Sequence, residues 1–351
     1  MRRLLTVMAL ALAISSATAS GAPSGASSLA ALTFTRHVGQ RESVWVAAAD
    51  GSHPREVTAN GYGGSLSADG RWLTFECPQA QAGSSFALLF LVDLTTGETR
   101  PLGKTSGNER WAPIGGRIAV SQPGGLFMID AASGRRTRLL ALRVRSLDFA
   151  PDGKSIVLAR GSGTAGTSQE RSDIFLLRLS GHVLARLTND GHSKSPIVSR
   201  TGIAYVRFRN AYYTPAPEAW LMHRDGSGQR LLARCCESRA WRSHGDATQG
   251  YRTVAVSTDG KNLLVCGPSS IDCFPMAIDL RSGRRHFFNL LPIPPQETST
   301  ALDLTADGRT ALVVVGPVHD GPGRWRLYSV PFAGGKSTLV ALDAVEGRWR
   351  R

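Results

Sequence analysis

From Leu32 onward the chain reads as short apolar or alternating runs broken by Asp-Gly, Gly-Gly and Ser-Gly, and no segment holds a helical period over three turns. Alternation with period two predicts half-buried strands. Four breaks are nearly identical: Ser67-Ala68-Asp69-Gly70-Arg71, Ala150-Pro151-Asp152-Gly153-Lys154, Ser257-Thr258-Asp259-Gly260-Lys261 and Thr305-Ala306-Asp307-Gly308-Arg309, each between two strand-like runs. Asp-Gly in that setting is a strong hairpin signal, because glycine accepts the positive φ that a tight turn requires. Gly115-Gly116-Arg117 and Thr201-Gly202 hold the same position without the Asp, making six first turns at intervals of about 37 to 58 residues.

A second turn follows each first one after a further strand: Asp93 to Gly97, Asp130 to Gly134, Leu179 to Gly181, Asp225 to Gly228, Asp279 to Gly283 and Phe332 to Gly335, with an earlier copy at Asp50-Gly51-Ser52. Seven second turns against six first ones predict that the opening copy lacks its first strand. Residues beyond Leu342, running through Ala344-Val345-Glu346-Gly347-Arg348-Trp349, can supply it and remove an open sheet edge. The expected fold is all-β: a propeller of seven four-stranded blades, with six as the alternative, closed by the C-terminal strand.

The unit from Ala150-Pro151-Asp152-Gly153-Lys154 to Arg186-Leu187-Thr188 resembles the repeat of the TolB-type, WD40-like β-propeller family, and Val57-Thr58 echoes its ending. The resemblance covers nearly all of the chain after its first segment. It implies the propeller scaffold and leaves function open, since such propellers occur alone, beside peptidase domains and in envelope complexes. Seven repeats exceed the six of the family's namesake, and nothing before Leu29 is long enough for the namesake's N-terminal domain.

Compartment follows from the first residues. Arg2 and Arg3 precede an apolar run from Leu4 to Ile14 and the small residues Ser15-Ser16-Ala17-Thr18-Ala19, the layout of a secretory signal peptide cut after Ala19. The run is too short to span a membrane. We expect residues 1–19 as signal peptide, 20–28 as flexible lead-in and 29–351 as one propeller domain, in an exported protein without a membrane span, periplasmic or secreted, and monomeric.

Lys plus Arg of 41 against Asp plus Glu of 27 gives a net charge of +14, or +12 without Arg2 and Arg3. Such an excess favours anionic partners. Its placement weakens a nucleic-acid reading, because Arg55, Arg100, Arg138, Arg186, Arg230 and Arg285 recur at edge-strand positions where charge blunts aggregation. Five cysteines in an oxidising compartment leave at least one free or paired between chains; Cys266 and Cys273 can face each other across a hairpin and form a disulfide, while Cys77, Cys235 and Cys236 have no assigned pairing.

In a blade of four consecutive antiparallel strands, both short turns fall on one face and the longer connections on the other. Those connections cover 79–85, 103–110, 161–173, 209–218, 233–250, 291–300 and 318–324. Two of them carry types enriched at binding hot spots, Tyr212 and Tyr213 in one, Arg239, Trp241, Arg242 and His244 in the other. Tyr212, Tyr213 and Trp241 would supply apolar area; Arg239, Arg242 and Glu170 would set charge preference. Nucleophile-elbow, phosphate-loop and dinucleotide motifs are all missing. We therefore expect no cofactor, no metal and no catalytic residue, and a partner that is a protein, peptide or anionic envelope polymer. The alternative is a hydrolase or lyase with its site at the central mouth, where His192, His244 and His319 could meet across blades.

Overall fold

A computed structural model of the chain describes residues 30–350 apart from 40, 78–86, 106, 143, 163–170, 209–217, 235–251, 258, 267–274, 288–296, 306, 318–323 and 333–334. Its described residues form 28 strands and no helix. Blade 1 uses β1 (Leu32–Val38), β2 (Arg41–Ala47) and β3 (Arg55–Thr58). Blade 2 is β4 (Tyr62–Leu66), β5 (Trp72–Cys77), β6 (Ala87–Asp93) and β7 (Thr99–Thr105). Blade 3 follows as β8 (Glu109–Trp111), β9 (Arg117–Gln122), β10 (Gly125–Asp130) and β11 (Arg136–Leu140). In blade 4 the strands are β12 (Ser146–Phe149), β13 (Ser155–Ser162), β14 (Arg171–Arg178) and β15 (Val183–Arg186), and in blade 5 β16 (Ser193–Val198), β17 (Ile203–Arg207), β18 (Glu218–Met222) and β19 (Arg230–Arg234). Blade 6 comprises β20 (Arg252–Val256), β21 (Asn262–Cys266), β22 (Pro275–Asp279) and β23 (Arg285–Phe287); blade 7 comprises β24 (Glu297–Leu304), β25 (Thr310–Pro317), β26 (Arg326–Pro331) and β27 (Thr338–Leu342).

The last strand, β28 (Ala344–Trp349), pairs antiparallel with β1 and completes blade 1 in the order β28-β1-β2-β3. Seven four-stranded antiparallel sheets in a ring result, as the count of turns predicted. The three N-terminal strands had no fourth partner until the chain returned.

Each blade buries both faces against its neighbours. Val157 and Ile174 of blade 4 pack on Val198, Ile203, Tyr205 and Met222 of blade 5, and Leu32 and Phe34 of blade 1 pack on Leu312, Val314 and Leu327 of blade 7. The middle strands accordingly read as near-continuous apolar runs, as in Ile156 to Ala159 and Ala311 to Val315, all at most 5% exposed. Tyr205 is fully buried among them. At about 25 cal/mol per Å² of apolar area, these seams are the main force holding blade to blade.

One expectation needs correction. The segment 103–110 is largely strand, since β7 runs to Thr105 and β8 begins at Glu109. Gly103 and Lys104 extend the ladder opposite Leu89 and Leu88, so this blade-to-blade connection is short. The edge-strand arginines lie as expected, with Arg55, Arg100, Arg138, Arg186, Arg230 and Arg285 all on outermost strands. No helix among the described residues is long and apolar enough to cross a membrane.

Candidate functional site

The two faces of the ring differ in how their polar groups are spent. On the short-turn face, Asp69, Asp152, Asp259 and Asp307 each accept the backbone N–H two residues on, at 2.9 to 3.0 Å. In the second turns Asp50, Asp130 and Asp225 accept from Ser52, Ser133 and Ser227 at 2.8 to 2.9 Å. Those bonds hold the Asp50, Asp130 and Asp225 carboxyls below the ordinary carboxylate range. Arg71, which donates to Asp93 at 2.7 Å, does the same for Asp93. Adjacent turns also grip one another: Thr201 Oγ1 donates to Gly260 O at 3.1 Å and Asn262 Nδ2 to Gly308 O at 3.4 Å. The turn carboxylates of this face are thus spent on its own bonds, while Arg224 Nε, Ser337 Oγ and Arg350 Nη1 stay without a partner among the described residues.

The opposite face carries the longer connections and the entry of each innermost strand. Around blades 4 and 5 its rim alternates cations with aromatics. Lys194 places its ammonium 4.1 Å from the Phe208 ring centroid, and Arg207 lies 5.0 Å from that of Trp220 while bridging Asp190 at 3.2 Å. Asp190 is held in turn by the His192 N–H at 2.6 Å. On blade 1, Arg36 stacks 4.1 Å from Trp45 and 5.5 Å from Phe34, next to a His37–Glu42 contact of 3.5 Å.

Blades 1 to 3 bring a second set together. Tyr62 opens β4, Glu76 lies across from it on β5, Glu109 opens β8, and Glu346 and Arg348 project from β28. Glu76 and Glu109 are only 8% and 3% exposed. Burial, then the charge of Glu109 and a hydrogen bond with it, push the Glu76 carboxyl up to about 7. The Tyr62 hydroxyl donates to Glu76, and burial followed by the nearby carboxylate charge raises it to about 12. Arg348 Nη1 stands 3.9 Å from Glu109 Oε1. Glu346, exposed at the rim, accepts from Gly63 N at 2.9 Å and Thr35 Oγ1 at 3.3 Å, tying the closing strand to blade 2.

Tyr212, Tyr213, Glu170, Arg239, Trp241, Arg242 and His244 lie outside the described residues. What the structure does place are the strand ends that carry them: β13 and β14 around Glu170, β17 and β18 around the tyrosines, β19 and β20 around Arg239 to His244. All belong to neighbouring blades 4 to 6. Of the proposed disulfide, Cys273 is outside the described residues and Cys266 ends β21. Cys77 is a free thiol that donates to Asn60 O at 3.0 Å, and burial raises its pKa. His244 and His319 are likewise outside, and no three His, Cys, Asp or Glu among the described residues cluster as metal ligands.

Glu76 and Glu109 were not read as site residues from sequence. Glu76 interrupts the run Trp72-Leu73-Thr74-Phe75-Glu76-Cys77, and a lone carboxylate in a buried strand was the available signal.

Blades that each pack four antiparallel strands around a common axis decide the architecture. The fold is that of a β-propeller. No protein-family model matches the sequence, and no curated protein does either. Solved structures with this propeller fold include a prolyl endopeptidase, 12% identical over 92% of this chain with a TM-score of 0.60, and an oligogalacturonate lyase in complex with manganese, 15% identical over 89% of this chain and 84% of its own, with a TM-score of 0.58. TolB from Acinetobacter baumannii matches at 15% identity and a TM-score of 0.43 over 92% of this chain. The present chain spans half of that endopeptidase and 66% of that TolB.

Proposed function

We propose that this propeller is an exported, non-enzymatic scaffold that binds a protein, peptide or anionic envelope polymer through its long-loop face. The carrying observation is the asymmetry of the two faces. Short turns consume most of their own carboxylates and hydroxyls, whereas the opposite rim presents Arg36 on blade 1 and, beside the connections that hold Tyr212, Tyr213 and Trp241, presents Lys194, Arg207, Phe208 and Trp220. Loops and rims on a rigid scaffold are where recognition concentrates, and aromatics with arginine are its usual anchors. Export rests on residues 1–19.

The test is capture from an envelope extract by the tagged mature protein, compared with Tyr212→Ala/Tyr213→Ala/Trp241→Ala and with Arg117→Ala/Lys154→Ala on the short-turn face. Loss of every captured partner in the first variant and retention in the second is expected. Unchanged capture by the first removes this surface from consideration.

A hydrolase or lyase at the mouth has one observation in its favour. Glu76 and Glu109 form a buried acid pair beside Tyr62, and one member titrates near neutrality, where acid–base chemistry is efficient. Turnover of a peptide or acidic oligosaccharide that vanishes in Glu109→Gln would establish that reading.

A further inference from the structure

Oxygen atoms without hydrogen-bond partners lie on one face of blade 3 at its seam with blade 2. Glu109 Oε2 and Gln122 Oε1, on side chains 3% and 2% exposed, accept no hydrogen bond. Both belong to one patch. Glu109 pairs with Val120 across β8 and β9, and Gln122 lies two residues further along β9, on the same face and diagonal to Glu109 at about 7–8 Å between backbones. The Gln122 amide is oriented by its Nε2 donating to Leu102 O of blade 2 at 3.0 Å, which keeps Oε1 within the seam.

Blade 2 answers with a carboxylate and two glycines. Glu76 pairs with Leu89, and Leu89 with Gly103, so the row Glu76-Leu89-Gly103 faces the Glu109 and Gln122 patch. A Cβ at Gly103 would stand 3.4 Å from Gln122 Nε2, and one at Gly107 would stand 3.7 Å from Glu76 Oε1. Glycines therefore lie against both Gln122 and Glu76, where no side chain of their own competes for these oxygens. Two carboxylates meet one guanidinium, that of Arg348, itself 42% exposed and 3.9 Å away. With both carboxylates ionised, one negative charge lacks a fixed counterpart.

We propose that this seam binds one hard divalent cation, of the calcium or magnesium class, through oxygens of Glu76, Glu109 and Gln122, with water completing the shell. Carboxylate and amide oxygens are the donors such ions select, and orphaned oxygens on buried side chains are costly unless something occupies them. Bound there, the ion pins the three-residue strand β8 to blade 2 beside the mouth. The inference is independent of which partner the long-loop face binds.

Mature protein stripped with EDTA is dialysed against calcium, magnesium or manganese chloride at constant ionic strength, and bound metal and the thermal unfolding midpoint are measured. For one of these ions we expect about one equivalent per chain and a midpoint that climbs with its concentration, as ligand linkage requires. Both effects should fall at least tenfold in apparent affinity in Gln122→Leu and in Glu109→Gln, and persist in Lys154→Ala on the opposite face. Absence of bound metal and of any midpoint shift in the wild-type protein, or a shift undiminished in Gln122→Leu, overturns the proposal.

Discussion

At the residue scale, the first turns show how few side chains are needed to specify a blade. In three of them a hydroxyl does the organising: Ser67, Ser257 and Thr305 each accept the N–H five residues on at 2.9 to 3.0 Å, closing the hairpin from inside. The glycine then bears positive φ, +68° at Gly308, where an added Cβ would sit 2.7 Å from Ser257 Cβ. Gly308→Ala combines left-handed strain with a clash against the Ser257 and Asn262 side chains, so we expect a loss of about 1–3 kcal/mol in denaturant unfolding. Glu76 makes a different residue-scale prediction. Its carboxyl titrates at about 7 in the fold against 4.5 for the free group, so the protonated form is the one the fold prefers. Its contribution is complete below pH 4.5 and disappears as pH rises through about 7. Metal-free protein should lose stability between pH 5 and 8, and Glu76→Gln should flatten that fall, exceeding the wild type at pH 8 by on the order of 1–3 kcal/mol.

The same residues mark what could be read in advance. Asp-Gly turns are local, so Asp69-Gly70, Asp152-Gly153, Asp259-Gly260 and Asp307-Gly308 announced their hairpins and, by repetition, the blades. The Glu76–Glu109 pair is assembled across a seam between residues of different blades, and no local pattern encodes it. Glu109 is harder still to find, because β8 is three residues long and carries too few positions to show a strand's alternation.

Among the elements, innermost strands do more than line the axis. Asp148 on β12 accepts Val198 N of the next blade at 2.8 Å, and Asp303 on β24 accepts Trp349 N of the closing strand at 2.9 Å. These two aspartates occupy one repeat position, in Leu147-Asp148-Phe149 and Leu302-Asp303-Leu304. Outermost strands staple as well: Arg100 donates to Ala131 O of blade 3, and Arg230 to Leu280 O of blade 6. The basic edge thus doubles as an inter-blade tie. Asp303→Ala strands the part-buried Trp349 N–H at the ring closure and the buried Leu304 N–H beside it, and should cost about 1–3 kcal/mol, read as a drop in unfolding midpoint. Removing residues 343–351 strips blade 1 of β28 and exposes the β1 ladder. Edge pairing between copies should then shift the protein to larger species than the full chain forms in size-exclusion chromatography.

For the whole molecule, the number of blades and the closure were legible because second turns outnumbered first ones, a count that only a returning strand reconciles. What the face asymmetry adds is direction. β1 starts and β28 finishes on the short-turn face, where Arg350 N donates to Ala31 O at 2.8 Å. The described chain therefore enters and leaves side by side, beneath the ring, pointing away from the rim that holds Arg36, Lys194 and Arg207. Anything attached at either end, whether a bead, a dye or a fused domain, becomes a pedestal: it displays the long-loop mouth outward and leaves it unshaded.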